Sequence, residues 1–197
     1  MKTLNMLGIL LTAGLVTSAS ALEIGDGIVD THVKMQSVDD ATLTLSELKG
    51  EKGTLVVFTC NHCPFVIGWQ DTMVEIGNTY SKKGIGVVFI NSNDPNVKGD
   101  DLKGMKEMAA KEGYEFPYLV DATSGIARNF GATKTPDVFL FDADDKLVYK
   151  GAVGEGGRTP TADGETWLKD ALDALIAGKD IEKTVTKAVG CSIKFRK

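Results

Sequence analysis

Two unbroken apolar runs bracketing a helix-period stripe constrain the fold more than any other feature of this chain. Leu55 to Phe58 is solidly apolar and lies between Gly53 and a pair of cysteines, and "GIGVVFINSN" (Gly84 to Asn93) repeats the pattern. Runs of this kind belong to strands buried on both faces of a sheet. Between them Phe65, Trp69, Met73, Ile76 and Tyr80 recur at three- and four-residue steps, the stripe of an amphipathic helix. Lys82-Lys83-Gly84 closes that helix with basic residues and a glycine. Strand, helix, strand at this spacing is a βαβ unit, and its two strands must be parallel.

The rest of the chain extends the same sheet. Ile28 to Leu48 alternates weakly around Asp39-Asp40, as an N-terminal hairpin would. Leu102 to Lys111 is expected to be a helix, Phe116 to Val120 a short strand, and Ser124 to Phe130 a short helix. "TPDVFLFD" and "KLVYKGAV" read as an antiparallel hairpin turning at Ala143-Asp144-Asp145. Trp167, Leu168, Ala171, Leu172 and Leu175 mark a last helix, stopped by Gly178. The sum is an α/β fold with a mixed central sheet, helices on both faces and an N-terminal hairpin extension.

The first 21 residues stand apart. Lys2, the apolar run Met6 to Val16 and Ala19-Ser20-Ala21 have the form of a signal peptide cleaved before Leu22. One domain over residues 22–197 then remains, periplasmic or secreted, with no stable membrane insertion after cleavage. Thiols in such a compartment stay reduced only when something reduces them. The formal charge is −5 with acids and bases interspersed. No basic block is present, which argues against nucleic-acid binding.

The chemistry is carried by "TCNHCPF". Zinc is disfavoured because a structural site takes four ligands, usually as two such pairs, and only His32 and Cys191 stand outside this one. A haem attachment would need histidine directly after Cys63, where Pro64 stands. A purely structural bridge would close too small a ring to restrain the unfolded chain. A working dithiol suits the strand-to-helix junction, where helix N–H groups favour a thiolate. In this reading Cys60, near the helix start, attacks and Cys63 resolves, while protonated His62 between them favours the thiolate further. Pro64 leaves two possibilities open: a loose first turn, or a helix that begins at Pro64 itself.

These residues resemble the thioredoxin-like redoxins, specifically the alkyl hydroperoxide reductase/thiol-specific-antioxidant branch with a CxxC motif. "GIGVVFINSND", "YEFPYLVD", "IARNFGATKTPDVFLFD" and "GCSIKFRK" follow "TCNHCPF" in family order. The resemblance implies a thioredoxin-like fold and thiol–disulfide oxidoreductase activity, and no cofactor. It implies a disulfide-containing or thiol substrate protein and an upstream redox partner. It also implies a cis bond at Thr135-Pro136, with Thr135 presenting backbone to an extended substrate segment beside the dithiol. Departures accompany it. The peroxidase pattern P-x-x-x-T-x-x-C fits neither cysteine, so peroxide reduction is an alternative in which Arg128 would supply a guanidinium. Thr54 occupies the place of a buried proton-handling acid, and Lys134 a place where relatives carry cysteine. A second alternative is copper binding by two thiolates and a histidine. Cys191 leaves three pairings open, Cys60–Cys63, Cys60–Cys191 and Cys63–Cys191, and is a possible third redox cysteine.

Overall fold

The computed structural model describes residues 21–197; the signal-peptide reading falls almost wholly outside them. Among the described residues, no helix is long and apolar enough to cross a membrane.

Strands β1 (Met35–Ser37) and β2 (Thr42–Leu43) form the N-terminal hairpin, turning through Asp40 at φ 69°. β3 (Gly53–Thr59), α1 (Pro64–Ser81) and β4 (Ile85–Asn91) make the βαβ unit, with β3 and β4 parallel over their whole length. α2 (Leu102–Glu112) leads to β5 (Tyr118–Val120), parallel to β4, and α3 (Gly125–Phe130) follows. β7 (Asp137–Phe141) and β8 (Leu147–Gly151) are the expected hairpin, and α4 (Trp167–Ile176) is the last helix. The sheet runs β2-β1-β5-β4-β3-β7-β8. A separate two-stranded ribbon, β6 (Lys134–Thr135) with β9 (Cys191–Ser192), was not legible in the sequence.

The period-2 geometry of β3 divides the core. Leu55 and Val57 face α1, α2 and α4, packing with Trp69, Met105 and Leu172, while Val56 and Phe58 face α3. On the α3 side Phe130 meets Phe58 and Phe139 edge-on at centroid distances of 5.3 and 5.4 Å. The buried stripe of α1 starts at Val66 and continues through Trp69, Met73, Ile76 and Tyr80; Phe65 is only half-buried. The cause is Pro64, which sets the helix's first turn and with it the phase of the face turned inward.

Candidate active site

The site forms where β3 ends in the centre of the sheet. Pro64 occupies the first helical position of α1, where a missing N–H costs nothing, and Cys63 is the N-cap. The helix therefore begins at Pro64, and Cys63 rather than Cys60 holds its amino end. That corrects the expected placement of Cys60, which lies three residues earlier in the turn between β3 and α1.

All three cysteines are free thiols. Cys60 and Cys63 are 2% and 0% exposed, whereas Cys191 is half-buried. Thr135-Pro136 is a cis peptide and brings Thr135 against both sulfurs of the pair. Thr135 Oγ1 lies 3.3 Å from Cys60 Sγ, and the Thr135 carbonyl accepts from Cys63 Sγ at 3.2 Å. Cys191 stands opposite Thr135 in the β6–β9 ribbon, and its thiol and backbone amide both face Cys63.

These contacts separate the two thiols. Hydrogen bonding from Cys60 holds the Cys63 thiol well below the usual range, supported by the Cys191 thiol and the amides of Val66 and Cys191. The Thr135 carbonyl pulls the other way, one acceptor against several donors. Cys60 is pushed up, first by its hydrogen bond to Cys63 and then by burial, with the charge of Asp100 adding to the rise. Burial and the hydrogen bond with Cys63 push Cys191 up to about 11, opposed by Lys194 and Lys134.

Asp100 is the residue that sequence reasoning missed. Its side chain is fully buried, Oδ2 lies 2.6 Å from His62 Nδ1, and it accepts from Asn61 N at 2.7 Å, Asn91 Nδ2 at 3.1 Å and Asn93 Nδ2 at 2.8 Å. Asn61 is fixed in turn by Tyr118 Oη, which donates to its Oδ1 at 2.9 Å. His62 thus turns toward a buried carboxylate as well as toward sulfur. Ligand atoms of Cys60, His62 and Asp100 lie within 4.8 Å of one another, a set mixing a soft thiolate with a hard carboxylate. The copper alternative asks for both thiolates with a histidine; Cys63 lies beside Cys60 and also contacts Thr135 and Cys191. His32 lies apart, with Nδ1 3.3 Å from Ser46 Oγ.

Three other positions singled out in the sequence have structural uses. Thr54 is buried in β3, opposite Gly86 and Phe141. Lys134 Nζ donates to Ser192 Oγ at 3.2 Å across the ribbon. Arg128 donates to the carbonyls of Thr123 and Arg196, and its guanidinium stacks 4.8 Å over the Phe195 ring. Its charge serves the chain's tail.

Asp137, directly after the cis proline, is buried, and burial pushes its carboxyl from an ordinary 3.8 up to about 7 against the amide of Thr133 and the charge of Lys150. The native state then holds a proton between about pH 4 and pH 7 that the unfolded chain has released. The stability this contributes is fully present below about pH 4 and is lost as pH rises through about 7. Urea midpoints measured across this window should fall with rising pH in the wild type, and Asp137→Asn should flatten that slope.

The comparisons with known proteins come to the same fold. A hypothetical protein from Sinorhizobium meliloti 1021 is similar at 32% identity and a TM-score of 0.81, over 90% of this chain and 97% of that one. An uncharacterised conserved protein from Geobacillus kaustophilus is 35% identical with a TM-score of 0.81, over 88% and 93%. More distant is a secreted Mycobacterium tuberculosis disulfide oxidoreductase, at 17% identity and a TM-score of 0.55 over 76% and 97%. No curated protein matches the chain. The Redoxin family model matches residues 24–166, a span that carries the dithiol turn, Asp100 and the cis proline together. On that match the chain belongs to the Redoxin family.

Proposed function

We propose that this protein is a thiol–disulfide oxidoreductase in which Cys63 is the attacking sulfur and Cys60 the resolving one. The single observation behind that order is the position of Cys63 at the N-cap of α1, where the first-turn amides and the helix dipole meet its sulfur. A sulfur so placed is the better thiolate and the better leaving group, and a stabilised reduced form makes the disulfide more oxidising. Cys60 keeps its proton at rest and must release it to attack Cys63. The Asp100–His62 pair beside it is the proton acceptor within reach. The substrate is an extracytoplasmic protein or small thiol, a location supported by the signal-like first 21 residues.

The experiment is a redox titration of the wild-type protein in glutathione buffers, with peptide mapping under non-reducing conditions. Cys60 and Cys63 should join in one reversible two-electron step. A protein that forms no Cys60–Cys63 bond at any ratio of oxidised to reduced glutathione would refute the reading.

A further inference from the structure

The last eight residues do not trail from the fold. Ile193 N donates to Thr133 O at 3.0 Å, Lys194 N to Asn93 Oδ1 at 2.7 Å and Arg196 N to Ser124 Oγ at 2.8 Å. The ribbon register sets Cys191 opposite Thr135, so the tail pairs with the backbone edge that the cis-Pro loop would offer to a substrate strand. Gly190 makes the approach possible, because a Cβ there would fall 2.0 Å from the Thr135 carbonyl oxygen. With the tail seated, Cys63 and Cys60 are closed off at 0% and 2% exposure, and Cys191 is the one of the three cysteines that is partly exposed.

We propose that Cys191 is a shuttle cysteine: it exchanges with external thiols at the surface and passes electrons inward to the buried Cys60–Cys63 pair, docked where a substrate strand would lie. This rests on the dithiol reading above and adds the route by which a partner reaches it. Starting from the Cys60–Cys63 disulfide, Cys191 loses its proton and attacks Cys63. The Cys63–Cys191 bond forms, the Cys60–Cys63 bond breaks and Cys60 takes up a proton. A thiolate of an external dithiol then attacks the Cys191 sulfur, and Cys63 departs as a thiolate. The partner's second thiol attacks its own sulfur in the mixed disulfide and releases Cys191. In sum, one protein disulfide becomes two thiols and the partner's dithiol becomes a disulfide, a transfer of two electrons. The steps run backward with an external disulfide as oxidant. The partner needs only a dithiol whose first sulfur can reach the surface at Cys191; it does not have to present an extended strand to Thr135.

The test compares oxidised wild type with oxidised Cys191→Ser as each is reduced by dithiothreitol. Reduction of the variant should be slower by at least about 100-fold, because the intramolecular partner supplies an effective molarity no free thiol reaches. Cys191→Ala should behave alike. Cys60→Ser treated with oxidised glutathione should accumulate a Cys63–Cys191 disulfide by peptide mapping, and Cys60→Ser/Cys191→Ser should not. Reduction of Cys191→Ser at the wild-type rate would overturn the shuttle. A faster rate would also overturn it, making the tail a plug only. Either outcome with an intact Cys60–Cys63 disulfide leaves the dithiol reading standing, whereas failure of that disulfide to form would remove the reading beneath it.

Discussion

Cys63→Ser is expected to stop catalysed disulfide turnover, lowering it by about 10³-fold or more, the scale on which loss of a nucleophile is felt. Serine is a favoured N-cap residue, so folding should be intact and the loss purely chemical. Cys60→Ser should lower turnover by a different step: Cys63 still attacks but can be released only through Cys191, so it accumulates in a disulfide. The two variants therefore separate in a non-reducing peptide map, where Cys60→Ser carries Cys63 in a bond and Cys63→Ser leaves Cys60 free. Multiple turnover by Cys63→Ser, or a locked Cys60 in its place, would invert the assigned order. The proposed order rests on Pro64. Moving the helix start to Pro64 takes the dipole and the amides of the first turn away from Cys60 and gives them to Cys63.

The second large effect is on stability. Asp100→Ala should cost about 3–5 kcal/mol, because buried donors from Asn61, Asn91 and Asn93 lose their acceptor together and each orphaned group costs roughly 1–3 kcal/mol. The gain from no longer burying a carboxylate offsets part of this, so the full sum is not reached. Urea denaturation followed by circular dichroism gives the difference. Asp100→Asn, which keeps one acceptor oxygen, should lose less. An Asp100→Ala protein as stable as wild type would mean the network is wet enough to replace the carboxylate with solvent. The same substitution removes a negative charge beside Cys60 and should bring its thiol down toward the ordinary range, since Asp100 is one of the causes holding it up.

The frame was legible because it is carried by long periodic segments. β3, α1, β4 and the β7–β8 hairpin each contain enough apolar residues at one period to declare themselves. The N-terminal hairpin was read from a weak alternation around Asp39-Asp40, and the short α3 from the stretch Ser124 to Phe130. The site was half legible. The CxxC spacing and the Thr-Pro segment named the right neighbourhood, and the cis bond is present at Thr135-Pro136. Which cysteine caps the helix was also written in the sequence, since proline is favoured at the first helical position and the residue before it is extended. Asp100 was not readable. It stands next to Asp101, the N-cap of α2, and nothing local distinguishes the acid that caps a helix from the one that turns inward. The signal available was indirect: "NSND" places polar side chains at the end of a fully apolar strand, and buried amides of that kind require an acceptor. The β6–β9 ribbon escaped because two-residue strands have no period, and their pairing joins residues over 50 positions apart.

Asn93 gives the molecule an interlock. One of its side-chain atoms accepts from the Lys194 amide of the docked tail, and the other donates to Asp100 beside Cys60. Without the tail, the Asn93 side chain would keep only its bond to the carboxylate. The seat of the tail is thereby joined through one side chain to the carboxylate beside Cys60.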